Sequence, residues 1–370
     1  MGGARMTADT LGAPAGVSPP YLGRRMDLLL IIRGLAALSV VAWHAEGYKA
    51  TFPSVLNTPG RTAVWLFFGI SGYVIAYGFI HRRYRLRPSD LRDFYTNRFL
   101  RIYPLFISLS VLTWVTEWLS TGTNPMRLDD VPAQILAVQF NQNYILNGVF
   151  WTLGIEIHFY LLAPLLVLPL LIEHRLQPLI ALALYVGMVY WSEYAATHLG
   201  WSWDGRNVLS NLPHFFAGMM ACLLVSGGRF KSWPASLSIV PACALLGYSS
   251  WLYHRAPGTF WSMSGMVLVD AAIVLFVLAH ARLAEKRSQE YPIQTTFAFL
   301  GTLSYGIYAW HAYFMKYIPW TAERLFALVV LSICAAYASY RLIERPALQL
   351  KRHPLPRMRA GEVESAIAAF

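Results

Sequence analysis

Two ionisable side chains, Arg33 and His44, lie within the first apolar stretch of the sequence, LLLIIRGLAALSVVAWHA. In an α-helix, eleven residues advance about 16 Å and return to within about 20° of the same face. An ionisable group at membrane depth normally faces a bundle interior or a wet cavity and marks a functional site. A guanidinium can hold an anionic or carbonyl group, and an imidazole can accept a hydroxyl proton. The pair predicts a site for a long polar substrate, with a structural salt bridge as the alternative role of Arg33.

Two carboxylates are also expected at membrane depth. Glu156, in FWTLGIEIHFYLL, is a candidate partner that orients His44, binds an acceptor or neutralises Arg33. Asp270, in SGMVLVDAAIVLF, fits a structural pair and a functional role equally well. His158 lies two positions after Glu156 and points elsewhere, so we expect it to pack or to make an indirect contact.

A pair of arginines, Arg98 and Arg101 in YTNRFLRIYP, shares one helix face because the two are three residues apart. Guanidinium forks match phosphate geometry, so the pair is a candidate phosphate site. The positive-inside rule alone would also place arginines here. A preceding basic run is expected to face lipid headgroups; it contains Arg82, Arg83, Arg85 and Arg87.

The segment FFGISGYVIAYGF carries small residues that allow either close helix packing or room for a thin substrate arm beside Ser71. Its glycines are Gly69, Gly72 and Gly78. In LSYGIYAWHAYF, His311 and Tyr305 are candidates to line the same outer cavity as His44. Membership of an interfacial aromatic belt is the alternative for this second segment.

The elements that position these residues are predicted to be membrane-spanning helices. Of 370 residues, 56% are hydrophobic and 13% are charged, and the mean hydropathy is +0.43. A soluble domain carries about 25% charged residues. Continuous apolar runs of bilayer length predict an all-α protein with about ten spans. These runs are 26–46, 62–81, 99–119, 149–172, 178–197, 208–226, 233–252, 260–281, 296–319 and 324–343.

Most of the 30 Lys and Arg residues fall on one side if both termini are cytoplasmic, as the positive-inside rule requires. The net charge of +11 is therefore explained by the orientation of the chain in the membrane, and nucleic-acid binding is not expected. We predict a flexible cytoplasmic tail over 1–25, a membrane domain over 26–346 and a cytoplasmic C-terminal tail over 347–370. An interfacial helix is expected before the third span, and a short amphipathic helix at VPAQILAVQF. The three cysteines are scattered, so no metal site is predicted.

These segments, in this order, resemble acyltransferase family 3, the membrane proteins that O-acylate bacterial surface glycans and some small molecules. The resemblance runs from Arg33 to the terminal IERP at 343–346. It implies a ten-helix bundle in the bacterial inner membrane, a cytoplasmic acetyl-CoA or other acyl-CoA donor, and a hydroxyl acceptor on the outer side. The family's essential Arg and His correspond to Arg33 and His44, and its inner-mouth arginines to Arg98 and Arg101.

The sequence departs from many relatives because Glu156 is followed by Ile157 rather than by a second acid. Some relatives carry a fused SGNH-hydrolase-like domain, so we expect either direct transfer or a separate periplasmic partner. The predicted reaction has His44 deprotonating the acceptor hydroxyl or forming a transient acyl-histidine. The predicted acceptor is a glycan or its lipid-linked precursor, or a small molecule such as an antibiotic. A proton-coupled transporter or flippase is the competing class.

Overall fold

The computed structural model describes residues 27–46, 59–81, 83–126, 130–136, 146–199, 206–228, 233–260, 262–285, 292–317 and 325–352. Across these ranges the regular elements are all helices, which confirms an all-α membrane protein. In chain order they are α1 (Leu28–Glu46), α2 (Gly60–Ile80), α3 (Pro88–Thr121), α4 (Val131–Leu136), α5 (Trp151–Leu171), α6 (Gln177–His198), α7 (Val208–Ser226), α8 (Ser236–Arg255), α9 (Pro257–Phe260), α10 (Met263–Glu285), α11 (Pro292–Thr302), α12 (Ser304–Tyr317), α13 (Leu325–Ser339) and α14 (Arg345–Gln349).

Eight candidate membrane spans are present in the described part of the chain, against the ten that the apolar runs predict. The predicted span 233–252 corresponds to α8, which is not apolar enough to qualify. The predicted span 296–319 is divided into α11 and α12 by a one-residue interruption at Leu303. Backbone hydrogen bonds continue across it, from Leu303 N to Phe299 O at 3.2 Å and from Ile307 N to Leu303 O at 2.9 Å.

Helix α3 is one continuous helix of 34 residues, or about 51 Å at 1.5 Å per residue. The separate interfacial helix predicted before the third span is therefore wrong, because the helical part of that segment, from Pro88 onward, forms the first turns of α3. Arg98 and Arg101 lie within this helix rather than at its start, so a rigid element carries both guanidinium groups. At VPAQILAVQF, α4 has six residues, and residues 137–145 lie outside the described ranges.

Glycines allow two pairs of helices to touch through their backbones. A Cβ atom on Gly72 of α2 would lie 1.9 Å from the Phe215 carbonyl oxygen of α7. A Cβ atom on Gly218 of α7 would lie 1.8 Å from the Gly69 carbonyl oxygen. Helices α1 and α11 meet in the same way, because a Cβ on Gly301 would lie 1.9 Å from the Leu30 carbonyl oxygen. The small residues of FFGISGYVIAYGF therefore serve helix packing, as one of the two sequence interpretations expected.

The last described segment folds back against α3. A π-helical turn, Tyr340–Glu344, joins α13 to α14 just before Pro346, whose nitrogen cannot donate a helical hydrogen bond. Asn97 of α3 then pairs with the backbone of Arg352: its Nδ2 donates to the carbonyl oxygen, and its Oδ1 accepts from the amide, both at 2.9 Å. Residues 347–352 of the predicted C-terminal tail are thus attached to the bundle. The predicted tail 1–25 and residues 353–370 lie outside the described ranges.

Candidate active site

A pocket lies between α1, α2, α3, α5 and α12, and it brings together six of the residues that the sequence singled out. It includes about 740 Å³ of space not filled by atoms, counting its open mouth. The six residues are Arg33, Ser71, Arg98, Arg101, Glu156 and Tyr305. Their positions range from 33 to 305, so the five helices must pack together before the site exists.

Arg33 is fixed by α12. Its Nε and Nη2 atoms donate to the Ser304 hydroxyl oxygen at 3.3 and 3.2 Å, and its guanidinium lies 5.9 Å from the Phe67 ring centre. The carboxylate of Glu156 and the guanidinium of Arg101 both interact with it electrostatically. Arg33 therefore presents a positive charge to the pocket wall, between the arginines of α3 and the carboxylate of α5.

His44 pairs with His311 rather than with Glu156. His44 Nδ1 lies 3.0 Å from His311 Nε2, and the two rings stack with centroids 5.1 Å apart. His311 is fully buried on α12, seven residues after Ser304. Helices α1 and α12 thus run in the same direction and supply both polar pairs, so the predicted common face of Arg33 and His44 is the face that contacts α12.

The hydrogen bonds of this histidine pair determine where a base can act. His311 Nδ1 lies 3.3 Å from the Ile307 carbonyl oxygen, which can only accept, so that nitrogen carries the proton. Neutral His311 then offers a lone pair at Nε2 and receives the Nδ1 proton of His44. Neutral His44 consequently has its lone pair at Nε2, which is the nitrogen able to accept a proton from a substrate.

Glu156 has a different set of partners from the one that the sequence suggested. Its Oε1 accepts a hydrogen bond from the Ser71 hydroxyl at 2.8 Å and another from the Tyr160 hydroxyl. The carboxylate lines the pocket and interacts electrostatically with Arg33. The interpretation in which Glu156 orients His44 is therefore replaced by orientation through His311, whereas neutralisation of Arg33 agrees with the geometry.

The histidine pair lies next to the pocket wall and is connected to it by Tyr308. The Tyr308 side chain lines the pocket, and its ring centroid lies 5.6 Å from that of His311. Its hydroxyl donates to the Val149 carbonyl oxygen at 3.1 Å and accepts from the Thr152 hydroxyl at the same distance. Tyr305 extends the wall in the other direction, because its hydroxyl donates to the Ile102 carbonyl oxygen at 2.8 Å.

The arginines of α3 form the opposite end of the pocket from His44. Arg98 is 6% exposed and lies over the rings of Phe94 and Tyr160, each centroid 5.6 Å away. Arg101 Nη1 lies 3.8 Å from the Glu344 carboxylate, and the buried Nη2 atom of Arg101 has no hydrogen-bond partner. A buried donor without a partner is unfavourable, so this end of the pocket suits an anionic ligand.

One member of the basic run predicted to face lipid headgroups differs from the others. Arg85 and Arg87 are exposed, whereas Arg83 is partly buried over the Tyr84 ring at 5.2 Å and interacts electrostatically with Arg98. Burial and the neighbouring Arg98 charge lower the pKa of Arg83. Arg82 lies outside the described ranges.

Asp270 and His158 lie outside this pocket. Asp270 accepts a hydrogen bond from the Tyr185 hydroxyl at 2.8 Å and pairs with His214 Nδ1 at 2.6 Å, which favours its structural interpretation. His158 Nδ1 donates to the Gly154 carbonyl oxygen at 2.6 Å, one turn earlier in the same helix.

Several residues in or beside the pocket were not assigned a role from the sequence. Tyr160 follows Glu156 by four residues, so its helical spacing could have indicated a shared face. Glu344 lies in the IERP segment. The proline of this segment indicates a change in the helix, but it does not indicate which residue Glu344 contacts. At the His44 end, the guanidinium groups of Arg61 and Arg206 lie 4.2 and 5.8 Å from the Trp151 ring, and no local pattern predicts that grouping.

Comparison with known proteins gives one family and several distant relatives. The profile of a family described as "Acyltransferase domain" matches residues 29–341. The O-acetyltransferase OatA of Staphylococcus aureus is 24% identical over 363 residues, which cover 88% of this chain and 58% of OatA. The chain thus spans less than two thirds of the length of OatA. No solved structure matches the chain.

Two other relatives are matched over nearly their whole length. ORF330 of Acidianus two-tailed virus is named provisionally as an acetyltransferase. It is 25% identical to this chain over 334 residues, which cover 88% of this chain and 92% of the length of ORF330. Nodulation protein 10 of Rhizobium leguminosarum bv. viciae is 27% identical over 371 residues, covering 88% and 93% respectively. Since the family profile covers most of the chain and the apolar helices cross the bilayer several times, this multi-pass membrane protein belongs to acyltransferase family 3.

Proposed function

We propose that this protein is an O-acyltransferase that moves an acyl group, in the simplest case acetyl, from acyl-CoA to a hydroxyl acceptor. The observation that carries the proposal is the order of groups along the site. Arg98 and Arg101 lie at one end, Arg33 follows, and the His44–His311 pair lies beyond Tyr308 at the other. Helix geometry separates Arg33 from His44 by about 16 Å, and a pantetheine arm is on the order of 15–20 Å long.

The donor binds with its phosphates at the arginine end. Arg98 and Arg101 offer buried guanidinium groups, and Nη2 of Arg101 has a free donor for a phosphate oxygen. Arg33, held by Ser304, contacts the polar arm, and Ser71 lines the same passage. The positive-inside rule favours the cytoplasm, where acyl-CoA is made, as the side on which this end lies. The location proposed for the chain is the bacterial inner membrane.

His44 is the general base. Its Nε2 accepts the hydroxyl proton as the acceptor oxygen bonds to the thioester carbonyl carbon, and the carbon–sulfur bond then breaks to release the thiol. His311 holds the His44 ring through Nδ1 and stabilises the imidazolium that forms. Tyr308, which lines the pocket beside His311, borders the space in which the acceptor hydroxyl must lie, whereas Tyr305 lies toward the arginine end.

The acceptor is a cell-surface or exopolysaccharide glycan, or its lipid-linked precursor. The name of OatA, an O-acetyltransferase, supports oxygen as the acceptor atom. Small hydroxylated molecules such as antibiotics are the alternative acceptors, and a separate periplasmic protein is the partner required if transfer is indirect.

A proton-coupled transporter or flippase is the second candidate function. The charged groups that line the pocket, among them Arg33 and Glu156, would also suit a substrate or proton path. Thioester consumption separates the two functions. In membranes supplied with acetyl-CoA, the acyltransferase releases free CoA when acceptor is present, and surface glycans from expressing cells carry acyl groups that a deletion strain lacks. If neither free CoA nor an acylated product depends on the protein, the acyltransferase assignment is excluded.

Replacing Arg101 by glutamine is expected to raise the KM for acetyl-CoA by about 10- to 100-fold, because charge-assisted hydrogen bonds contribute roughly 1.5–3 kcal/mol. Turnover at saturating donor should change much less, since Arg101 is far from His44. The measurement is steady-state release of free CoA over a range of acetyl-CoA concentrations. Arg85→Gln is the matched control, because Arg85 is exposed and should leave KM unchanged. An equal change in the KM for acetyl-CoA in both variants would argue against a phosphate site at Arg101.

A further inference from the structure

The face of α5 that borders the pocket carries three polar side chains, each about one helical turn from the next. Thr152, Glu156 and Tyr160 all line the pocket, and four residues advance about 6 Å along a helix. At one end, Thr152 donates to the Tyr308 hydroxyl at 3.1 Å. At the other end, the ring centroid of Tyr160 lies 5.6 Å from the Arg98 guanidinium. Glu156 therefore lies midway between the arginine end of the pocket and the wall beside the histidine pair.

The two oxygens of the Glu156 carboxylate have different surroundings. Oε1 accepts hydrogen bonds from the Ser71 hydroxyl at 2.8 Å and from the Tyr160 hydroxyl. Oε2 has no hydrogen-bond partner among the residues that the structure describes. Donors from α2 and from α5 itself thus hold the side chain in place before any ligand binds. Because an ionised carboxylate only accepts hydrogen bonds, Oε2 is an open acceptor for a donor group of a ligand.

The wall around this carboxylate is apolar. Phe68 and Val74 lie three residues before and after Ser71 on α2, Leu153 lies three residues before Glu156 on α5, and all three line the pocket. A phosphate at this point would lose its hydration and be repelled by the carboxylate. An uncharged chain with N–H groups suits the same space. The pantetheine arm of an acyl-CoA is such a chain, since its methylene groups are joined by two secondary amides, each with one N–H donor.

We propose that Oε2 of Glu156 accepts a hydrogen bond from an amide N–H of the pantetheine arm. This inference rests on the proposed function and assigns Glu156 to donor binding rather than to proton transfer. The contact lies between the phosphate end and His44, so it sets how far the thioester reaches toward the base. A thioester without that N–H leaves Oε2 unpaired in the filled passage, which lowers its affinity. Glu156 therefore selects donors that carry an amide at this position of the arm.

The test uses two analogues of CoA, in each of which one amide N–H is replaced by an ester oxygen. The Kd of CoA and of each analogue is measured by isothermal titration calorimetry, with the full-length protein in phosphatidylcholine nanodiscs. With wild type, one analogue should bind about 10- to 100-fold more weakly than CoA, because a hydrogen bond to a charged acceptor is lost. Glu156→Leu should bind CoA and that analogue about equally. This ratio of two Kd values cancels any general damage to the site.

Two further variants separate the contact from an effect on the fold. Glu156→Gln keeps an amide oxygen as a neutral acceptor, so the analogue should bind about two- to tenfold more weakly than CoA. Glu173→Leu makes the same change as Glu156→Leu at an exposed carboxylate just beyond the end of α5, and it should keep the wild-type ratio. If Glu156→Leu does not fold, Glu156→Gln decides the test, and an undiminished wild-type ratio in Glu156→Gln overturns the inference.

The outcomes distinguish this inference from the proposed function. If wild type binds both analogues as tightly as CoA, or if Glu156→Leu keeps the wild-type ratio, the amide contact is overturned. The binding of CoA itself then leaves the proposed function intact. If wild type fails to bind CoA, the acyl-CoA donor of the proposed function is overturned together with the amide contact.

Discussion

Replacing His44 by alanine is expected to lower turnover by about 10²- to 10⁴-fold, the usual contribution of a positioned general base. The Kd of the acyl donor should stay within about twofold, because the donor phosphates bind at Arg98 and Arg101, beyond Arg33, which is itself about 16 Å from His44 along α1. The measurement is free-CoA release under saturating donor, with CoA affinity determined on the same preparation. A variant that loses donor binding as severely as turnover would show that His44 supports the fold rather than the chemistry.

Variants of His311 test how His44 is oriented. His311→Leu removes one neutral hydrogen bond of roughly 0.5–1.5 kcal/mol, so turnover should fall by about two- to tenfold. His311→Gln keeps an acceptor oxygen for the Nδ1 proton of His44 and should recover part of the loss. In the background of His44→Ala, His311→Leu should have no further effect on turnover. A further loss of turnover on adding His311→Leu to His44→Ala would indicate that His311 acts on the substrate itself.

Replacing Gly218 by alanine is expected to reduce the yield of folded protein strongly. The added Cβ would lie 1.8 Å from the Gly69 carbonyl oxygen, and a backbone atom cannot move aside without separating α2 from α7. Overpacking typically destabilises by about 1–3 kcal/mol, and more where backbone stands in the way. The separation would also displace Ser71, which lies between Gly69 and Gly72 and donates to Glu156. The measurement is the apparent Tm and the monodisperse fraction after detergent extraction.

The matched control for this variant is Gly187→Ala in α6. A Cβ atom at Gly187 would meet nothing within 4 Å, so the same chemical change adds only helix propensity. Gly187→Ala should therefore keep or slightly raise the apparent Tm. If Gly218→Ala were as stable as Gly187→Ala, the close backbone contact between α2 and α7 would be wrong.

Properties that depend on neighbouring residues along the chain could be predicted from the sequence. Helices follow from apolar runs, since a segment in lipid must satisfy its own backbone hydrogen bonds. The common face of Arg33 and His44 follows from the pitch of one helix, and the α12 contacts confirm that face. Helix ends were less predictable: residues from Pro88 onward, expected in a separate interfacial helix, continue into the third span as the single helix α3.

Properties that depend on which helices become neighbours were determined by the tertiary structure alone. Glu156 was a predicted partner of His44 and His311 a predicted neighbour in the same cavity, but the packing of α12 beside α1 pairs His44 with His311. The same packing leaves Glu156 with Ser71 and Tyr160. The attachment of the C-terminal segment to α3 follows the π-helical turn Tyr340–Glu344 and depends on two hydrogen bonds between Arg352 and Asn97, more than 250 residues earlier. A sequence pattern records spacing within one helix, whereas such contacts arise from the angles and registers at which separate helices pack.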